Sequence, residues 1–340
     1  MLAARLELDG TFEAKKKTRY EKHKDEINCV AFSRDLEMMV TGSDDGRVRV
    51  WNRPKNILVC RFFGHTGAVK GVAVSPDSRY IASASHDRTV IVWRTRNSEI
   101  IYKLQGHSRC VETVGFSSDG RLLCSGSWDC TAIVWNLETG TPRNILTGHK
   151  NLVQCCAFST NDRLLATGSW DHTVRLWALC RQAGIDQVRV LKGHTGNVHA
   201  VAFSKLGMLA TGSWDKTVRL WSSRDARCLL VLSEHTGWVR ALAFSNDSSM
   251  VASASDDETV RVWDVRTGEC AKTLESDLEQ LQTCVFSSEG ALFASGAAAM
   301  AVAEKKETQS KEEEEEEVNR EMDEGTVEEE EEEKEDDEGG

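Results

Sequence analysis

Short runs of alternating apolar and polar residues recur along the chain, separated by polar turns such as Ser75 to Ser78. One kind of run reads Val-x-x-Val-x-Phe, as in Val198 to Phe203. A second kind ends in small residues, as in Ala210 to Ser213, and a third ends in tryptophan, as in Thr217 to Trp221. Alternation with a period of two between turn residues is typical of β-strands. The pattern therefore predicts an all-β protein.

The runs that end in tryptophan return at a nearly constant interval. The intervals between them are 42, 42, 42, 44 and 42 residues, and the tryptophans are Trp51, Trp93, Trp135, Trp177, Trp221 and Trp263. A histidine stands about 28 residues before each of them. A fixed period of this length indicates one supersecondary unit that is repeated and packs against its copies.

The repeat resembles that of the WD-repeat family. Gly-His pairs occur at 64–65, 106–107, 148–149 and 193–194, and one repeat ends in Trp263-Asp264. The resemblance implies a β-propeller, in which four-stranded blades surround a central channel. About 43 residues per blade predict seven blades.

The resemblance also sets the expected domain boundaries. We expect an N-terminal lead-in at 1–13, the propeller at 14–303 and a tail at 304–340. The expected repeats lie near 23–51, 65–93, 107–135, 149–177, 194–221 and 235–263, with a degenerate seventh at 277–303. The seventh has Asp277, Ala299 and Lys305 where histidine, aspartate and tryptophan are expected. Because the family closes its ring with an N-terminal strand, Lys16 to Tyr20 is predicted to be the outer strand of the last blade.

The tail dominates the charge of the chain. The whole chain carries −12, but residues 304–340 contain 21 acidic and 5 basic residues, which leaves the rest at +4. Such a segment buries too little apolar surface to fold, so we expect it to be disordered. It serves solubility or folds back loosely on the body; the alternative is capture of a basic protein such as a histone.

Each complete repeat carries a His, a Ser or Thr, an Asp and a Trp at nearly fixed offsets. The six sets are His23, Thr41, Asp45 and Trp51; His65, Ser83, Asp87 and Trp93; His107, Ser125, Asp129 and Trp135; His149, Thr167, Asp171 and Trp177; His194, Thr211, Asp215 and Trp221; and His235, Ser253, Asp257 and Trp263. The family resemblance implies a buried hydrogen-bond chain at each set, which we call a tetrad. A hydrolase triad occurs once, not six times, so we predict structural tetrads and no enzyme.

Cofactor chemistry finds no support in the sequence. Besides the tetrad histidines there are only His86, His172 and His199, and none stands at ligand spacing from a cysteine. The 11 cysteines include no C-x-x-C pair, and no apolar run reaches the roughly 18 residues of a membrane span. We expect no metal, no cofactor, no membrane and no direct nucleic-acid contact. The expected form is a monomer with reduced thiols in the cytoplasm or nucleus, not secreted.

The loop face of the predicted propeller is the expected partner site. In this family peptide ligands usually contact the residue before the tetrad aspartate and those flanking the start of the innermost strand. The residues expected to bind a partner are Trp128, Trp170, Trp214, Trp238, His199, Arg240, Lys70 and Glu112. The alternative is that the tryptophans only cover neighbouring turns. We predict a protein-binding scaffold whose ligand has a bulky apolar anchor followed by basic residues.

Two further motifs allow other functions. Trp263 to Arg266 resembles the Trp-Asp-x-Arg box of substrate receptors for cullin-4 ubiquitin ligases, in which Arg266 would contact the adaptor. The basic run 15–19 is either a nuclear-localisation or anion-binding patch, or a set of solvent-facing lysines on an outer edge.

Overall fold

The alternating runs form antiparallel β-strands in the computed structural model, which describes residues 4–6, 12–13, 23, 25–55, 57–179, 185–275, 281–286 and 292–296. The described residues contain strands and no helix, so no segment among them could cross a bilayer as a helix. Seven sheets of four strands are present, and all of them belong to the unit formed by residues 2–297. The prediction of an all-β, seven-bladed propeller is confirmed.

We number the strands in chain order and the blades by their tetrads. The first two strands are β1 (Ala4–Leu6) and β2 (Phe12–Glu13). Blade 1 contains β3 (Ile27–Phe32), β4 (Met38–Ser43), β5 (Arg47–Asn52) and β6 (Ile57–Phe63). Blade 2 contains β7 (Val69–Val74), β8 (Tyr80–Ser85), β9 (Thr89–Arg94) and β10 (Ile100–Gln105). Blade 3 contains β11 (Val111–Phe116), β12 (Leu122–Ser127), β13 (Ala132–Asn136) and β14 (Thr141–Leu146).

The remaining blades follow the same plan. Blade 4 contains β15 (Val153–Phe158), β16 (Leu164–Ser169), β17 (Val174–Leu179) and β18 (Ile185–Leu191). Blade 5 contains β19 (Val198–Phe203), β20 (Met208–Ser213), β21 (Val218–Ser222) and β22 (Cys228–Leu232). Blade 6 contains β23 (Val239–Phe244), β24 (Met250–Ser255), β25 (Thr259–Asp264) and β26 (Cys270–Glu275). Blade 7 combines β27 (Leu281–Phe286) and β28 (Leu292–Gly296) with β1 and β2.

The core lies between neighbouring blades. The second strand of each complete blade is almost entirely buried, the third strand is buried at half or more of its positions, and the outer strands alternate between exposed and covered positions. Between blades 1 and 2, Val50 and Phe62 pack in one cluster with Ile81 and Trp93. The small residues that end the second strands allow this close approach, because successive blades interlock at van der Waals distance.

Blade 7 is completed by both ends of the unit. β1 pairs with β28, as in Leu6 opposite Leu292, and β2 pairs with β1 as the outer strand. β27 in turn lies against β3 of blade 1, which closes the ring. Both N-terminal strands lie inside 1–13, so the sheets begin earlier than the lead-in boundary expected from sequence.

The identity of the closing strand is a correction to the sequence prediction. The outer strand of blade 7 is Phe12–Glu13, and the segment predicted for that place, Lys16 to Tyr20, lies outside the described residues. The seventh-repeat positions 277, 299 and 305, the basic run 15–19 and the tail at 304–340 also lie outside them.

Candidate functional site

Each tetrad is a hydrogen-bond chain that joins the loop face of a blade to its core. In blade 2, Trp93 Nε1 donates to Ser83 Oγ at 2.8 Å, and Ser83 Oγ lies 2.7 Å from His65 Nε2. His65 Nδ1 lies 2.8 Å from Asp87 Oδ2. Since the hydroxyl accepts from the indole, its own proton goes to Nε2, and Nδ1 then donates to the carboxylate. Every group in the chain is therefore paired.

The same contacts recur in the other five tetrads. The imidazole-to-hydroxyl distances are 2.8 Å for His23, His107 and His149, and 2.7 Å for His194 and His235. The indole-to-hydroxyl distances are 3.1 Å for Trp51, 2.9 Å for Trp135 and Trp177, and 2.8 Å for Trp221 and Trp263. A hydroxyl held between two partners in this way is not available as a nucleophile.

A threonine two residues after the aspartate extends five of the tetrads. In blade 5, Thr217 Oγ1 donates to Asp215 Oδ1 at 2.7 Å, and the Thr195 N–H donates to Oδ2 at 3.0 Å. Burial opposes ionisation of Asp215, but the hydrogen bonds from His194 and Thr217 outweigh it and hold the pKa well below its usual range. This threonine was not predicted from the sequence, although Asp-x-Thr recurs in blades 2 to 6 and would have revealed it.

Blade 1 has arginine where the other blades use threonine. Residue 47 is an arginine, and the buried Arg49 donates instead to Asp45 at 2.9 Å and contacts the His23 imidazole. Burial, together with the Arg49 charge, lowers the pKa of His23 to about 4. The histidine therefore stays neutral at physiological pH, as in the hydrogen-bond chain described above.

A β-bulge positions one side chain of each of blades 1 to 6 at the mouth of the central channel. In β19, Val198 and Ala200 lie opposite Ser213 and Gly212, so His199 is the extra residue of the innermost strand. The register shifts at the same point in all seven first strands. The extra residues in blades 1 to 6 are Asn28, Lys70, Glu112, Gln154, His199 and Arg240. Bulges commonly re-aim a side chain in this way.

The bulge residues pair with the turn residues that precede the tetrad aspartates. Trp128 Nε1 donates to Glu112 Oε1 at 2.6 Å within blade 3. Trp170 Nε1 donates to Gln154 Oε1 at 3.0 Å within blade 4. The sequence placed both partners on the same face, and the bulge explains why they meet.

Three of the predicted tryptophans form one continuous aromatic surface. The rings of Trp214 and Trp238 are stacked, with centroids 4.1 Å apart and planes 6° apart. Trp170 lies against Trp214 with a centroid distance of 5.0 Å and a tilt of 54°. Trp238 keeps 39 % of its surface exposed, and Trp128, which is 41 % exposed, packs edge-on against His86 instead. The stack therefore spans blades 4 to 6. Trp128 of blade 3 is separate from it and packs against His86 of blade 2.

Arg240 joins the aromatic surface to the charged part of the rim. Its Nε and Nη2 atoms donate to the two oxygens of Asp256 at 2.9 and 2.8 Å, and its guanidinium lies 5.2 Å from the Trp238 ring centroid. Its Nη1 lies 3.3 Å from His199 Nε2, while His199 Nδ1 donates to the Arg240 carbonyl at 3.2 Å. Burial and the neighbouring guanidinium lower the pKa of His199 to about 4. His199 is therefore a neutral support for Arg240.

The loop-face residues surround a cavity of about 520 Å³ at the mouth of the channel. Seven of the eight residues predicted to bind a partner line it, and Trp238 lies against it through Trp214. The described residues include no cluster of three metal-ligating side chains. Burial raises the pKa of the Cys284 thiol to about 12 and likewise raises that of Cys124 and Cys155, so these thiols are poor nucleophiles.

Arg266 lies away from the mouth of the channel. It follows β25, whereas the mouth residues lie at the turn that precedes β25, so it occupies the opposite edge of blade 6. Its side chain is exposed, and its backbone N–H donates to Asp264 Oδ1 at 2.8 Å.

Comparison with known families agrees with this architecture. Residues 61–306 match the β-propeller model described as nucleolar protein 10-like, N-terminal domain, and residues 14–52 match the WD domain, G-beta repeat. No curated protein matches the chain with significance. The first match covers well over half of the chain, and the second covers the repeat with which blade 1 is built. The chain therefore belongs to the WD-repeat family of β-propellers.

Proposed function

We propose that this propeller is a non-catalytic scaffold whose loop face binds a peptide or loop of a protein partner. WD-repeat propellers generally mediate protein–protein interactions and are generally not catalytic. The observation that carries the proposal is the aromatic surface of Trp170, Trp214 and Trp238, bordered by Arg240. Tryptophan and arginine are the residues most often found as hot spots in protein interfaces.

The alternative, that the tryptophans only cover neighbouring turns, is less favoured by their contacts. Trp214 contacts the aromatic rings of Trp170 and Trp238 in the blades on both sides, which builds a surface larger than a turn cover needs. Because stacked rings hold one another in place, the surface loses little conformational entropy on binding a ligand. A rigid, half-exposed apolar surface next to a charged rim favours a ligand with an apolar anchor.

The test is a double substitution, Trp170→Ala with Trp214→Ala. Neither residue belongs to a tetrad, so the fold should persist, while retention of partners from a lysate should fall roughly ten-fold or more. Leu206→Ala is the matched control, because it removes an exposed apolar side chain from the β19–β20 turn, at the end of blade 5 away from the channel mouth. Unchanged retention by the folded double variant would contradict the proposal.

The cullin-4 receptor role is a second candidate, favoured by the exposure of Arg266 after the buried Trp263. Arg266→Ala tests it. Loss of a co-purifying cullin-4 adaptor from Arg266→Ala, with loop-face partners retained, would support the receptor role.

The description of the matching family also supports a nuclear location. That description names a nucleolar protein, and the basic run 15–19 is suited to nuclear import. Imaging of the tagged chain, with and without neutral substitutions in that run, tests this proposal.

A further inference from the structure

The cavity at the channel mouth contains a carboxylate that no cation neutralises. The two cations at the mouth are already engaged: Lys70 Nζ pairs with Asp44 Oδ1 at 2.9 Å, and Arg240 grips Asp256 with two hydrogen bonds. Glu112 is left without a Lys or Arg partner among the described residues. The exposed Glu26 adds further negative charge to the lining.

The surroundings of Glu112 hold it in place but leave it short of donors. Its side chain is only 12 % exposed. Oε1 accepts the Trp128 indole N–H, whereas Oε2 has no hydrogen-bond partner within the described ranges. His86 Nε2 lies 3.5 Å from Oε1, too far for a good hydrogen bond, and is itself a buried polar atom without one. Since Oε2 is not among the buried atoms that lack a partner, it is open to the cavity, where it can accept charged hydrogen bonds from a ligand that brings positive charge and donors.

The aromatic rings distinguish between kinds of cation. A quaternary ammonium has no donors and needs several free ring faces around it. Here the facing sides of Trp214 and Trp238 cover each other and Trp170 leans on Trp214, so few faces are free. A guanidinium needs only one ring face and an acceptor, because it is planar and donates in a fork to carboxylates. Trp128 offers a half-exposed ring face, and Glu112, to which it is hydrogen-bonded, offers the acceptor.

A peptide chain fits the same cavity better than a free cation does. Trp214 also lines the cavity, and its Nε1 is a buried donor without a hydrogen-bond partner in the described part of the chain. Because that atom has no accessible surface, a ligand contacts the Trp214 ring instead, and an apolar side chain next to the inserted residue would pack on it.

We propose, on the basis of the proposed loop-face function, that the partner segment inserts an arginine side chain into this cavity. The guanidinium donates to Glu112 and stacks on Trp128, while the residue's neighbours lie on the surface of Trp170, Trp214 and Trp238. Glu112 is then the residue that selects arginine.

The test uses four peptide libraries that have random flanking positions and a fixed central residue: arginine, lysine, citrulline or leucine. Immobilised wild-type protein should retain the arginine library best. Citrulline keeps the shape of arginine but not its charge, so it should be retained much less well. Glu112→Gln should lower retention of the arginine library roughly ten-fold, since the amide still accepts from Trp128 but carries no charge. Glu99→Gln, in an exposed pair with Arg94, is the charge-matched control.

A second variant keeps the inference testable if Glu112→Gln does not fold. His86→Arg places a guanidinium of the protein itself beside Glu112 and should suppress retention of the arginine library. Equal retention of the arginine and citrulline libraries, or full retention by both folded variants, would overturn the inference while leaving the loop-face proposal standing. Retention of no library by the wild type would overturn both.

Discussion

Trp214 and Trp238, from the turn of blade 5 and the start of blade 6, stack face to face at 4.1 Å. Their sequence positions are 24 apart, yet the rings are nearly parallel because both lie at the same edge of adjoining blades. The contact joins tryptophan side chains of two separate repeats into one surface. It also joins two blades where no backbone hydrogen bond does so, since each sheet is confined to one blade in the described residues.

The stack should be visible by spectroscopy. Closely stacked indoles couple their electronic transitions, which gives paired bands of opposite sign in circular dichroism. Trp214→Ala breaks both ring contacts and should remove this signal, whereas Trp238→Ala should leave only the weaker contribution of the Trp170–Trp214 pair. Trp263→Phe, at a buried tetrad position, should leave the signal unchanged. A double-mutant cycle should assign about 0.5–1.5 kcal/mol to the Trp214–Trp238 contact.

The tetrads should act on stability and not on chemistry. His194→Ala leaves Asp215 and Thr211 without their partner, so the free energy of unfolding should fall by about 1–3 kcal/mol in urea titrations. His172→Asn is the control, because His172 is exposed and asparagine tolerates its left-handed φ of 66°. Equal stability of the two variants would show that the tetrad contributes nothing.

Acid should weaken the fold before its carboxylates titrate. His23 and His199 have pKa values of about 4 in the folded chain against 6.5 ordinarily, so the unfolded chain binds protons that the folded chain does not. The free energy of unfolding therefore has its highest value above pH 6.5 and falls as the pH drops from 6.5 towards 4. The fall is at most about 1.4 kcal/mol per pH unit for each histidine.

The measurement is a series of urea titrations across this pH range. His199→Gln should make the dependence shallower, whereas Leu206→Ala, which removes no titratable group, should leave it unchanged. A steeper fall for His199→Gln would mean that His199 is charged in the folded chain.

The turn after each tetrad aspartate contains a residue in the left-handed region. Blade 1 uses Gly46, with φ of 72°, but blade 5 uses Lys216 with φ of 69°. A left-handed L-residue costs about 1–2 kcal/mol, and glycine loses about 0.5–1 kcal/mol more entropy on folding. Lys216→Gly should therefore stabilise the chain by about 0.5–1 kcal/mol in thermal melts. Lys216→Ala, which keeps a Cβ, should give no such gain.

The two ends of the chain should respond differently to deletion. Removing residues 1–13 takes away half of blade 7 and exposes the edge of β28, so we expect a lower melting temperature and aggregation. Removing residues 304–340 changes the net charge from −12 to +4 and should leave the melting temperature nearly unchanged. A loss of β-structure in the second variant would show that the tail contributes to the seventh blade.

Much of this architecture could be predicted because each repeat places the same contacts at the same offsets. The spacing of the tryptophans predicted the repeated blades, and aligning the repeats on these tryptophans predicted the tetrad residues. The closing strands could not be found this way, since they pair residues almost 290 positions apart, such as Leu6 and Leu292. Alternation in Arg5, Leu6 and Glu7 was a usable signal, but it is too short to choose a partner strand.

The site was predicted as a set of residues but not as an arrangement. The bulge that turns Glu112 into the channel depends on the register of two strands, and a repeat alignment does not contain register. Arg240 pairs with Asp256 inside blade 6, whereas its contacts with His199 cross from blade 6 to blade 5. Sequence offsets within one repeat cannot supply these contacts.

Blade 7, built from both ends of the propeller, also governs when the ring can form during synthesis. β1 and β2 emerge first from the ribosome, but β27 and β28 are the last strands of the propeller to be made. β1 and β2 can pair with each other, but β1 must wait for its other partner, β28, until the strands of six blades have been made. Closure of this very long loop carries a large entropic cost, so we expect it to be the slowest step. Until then the nascent chain exposes two open sheet edges, and this is the interval in which a chaperone would hold it.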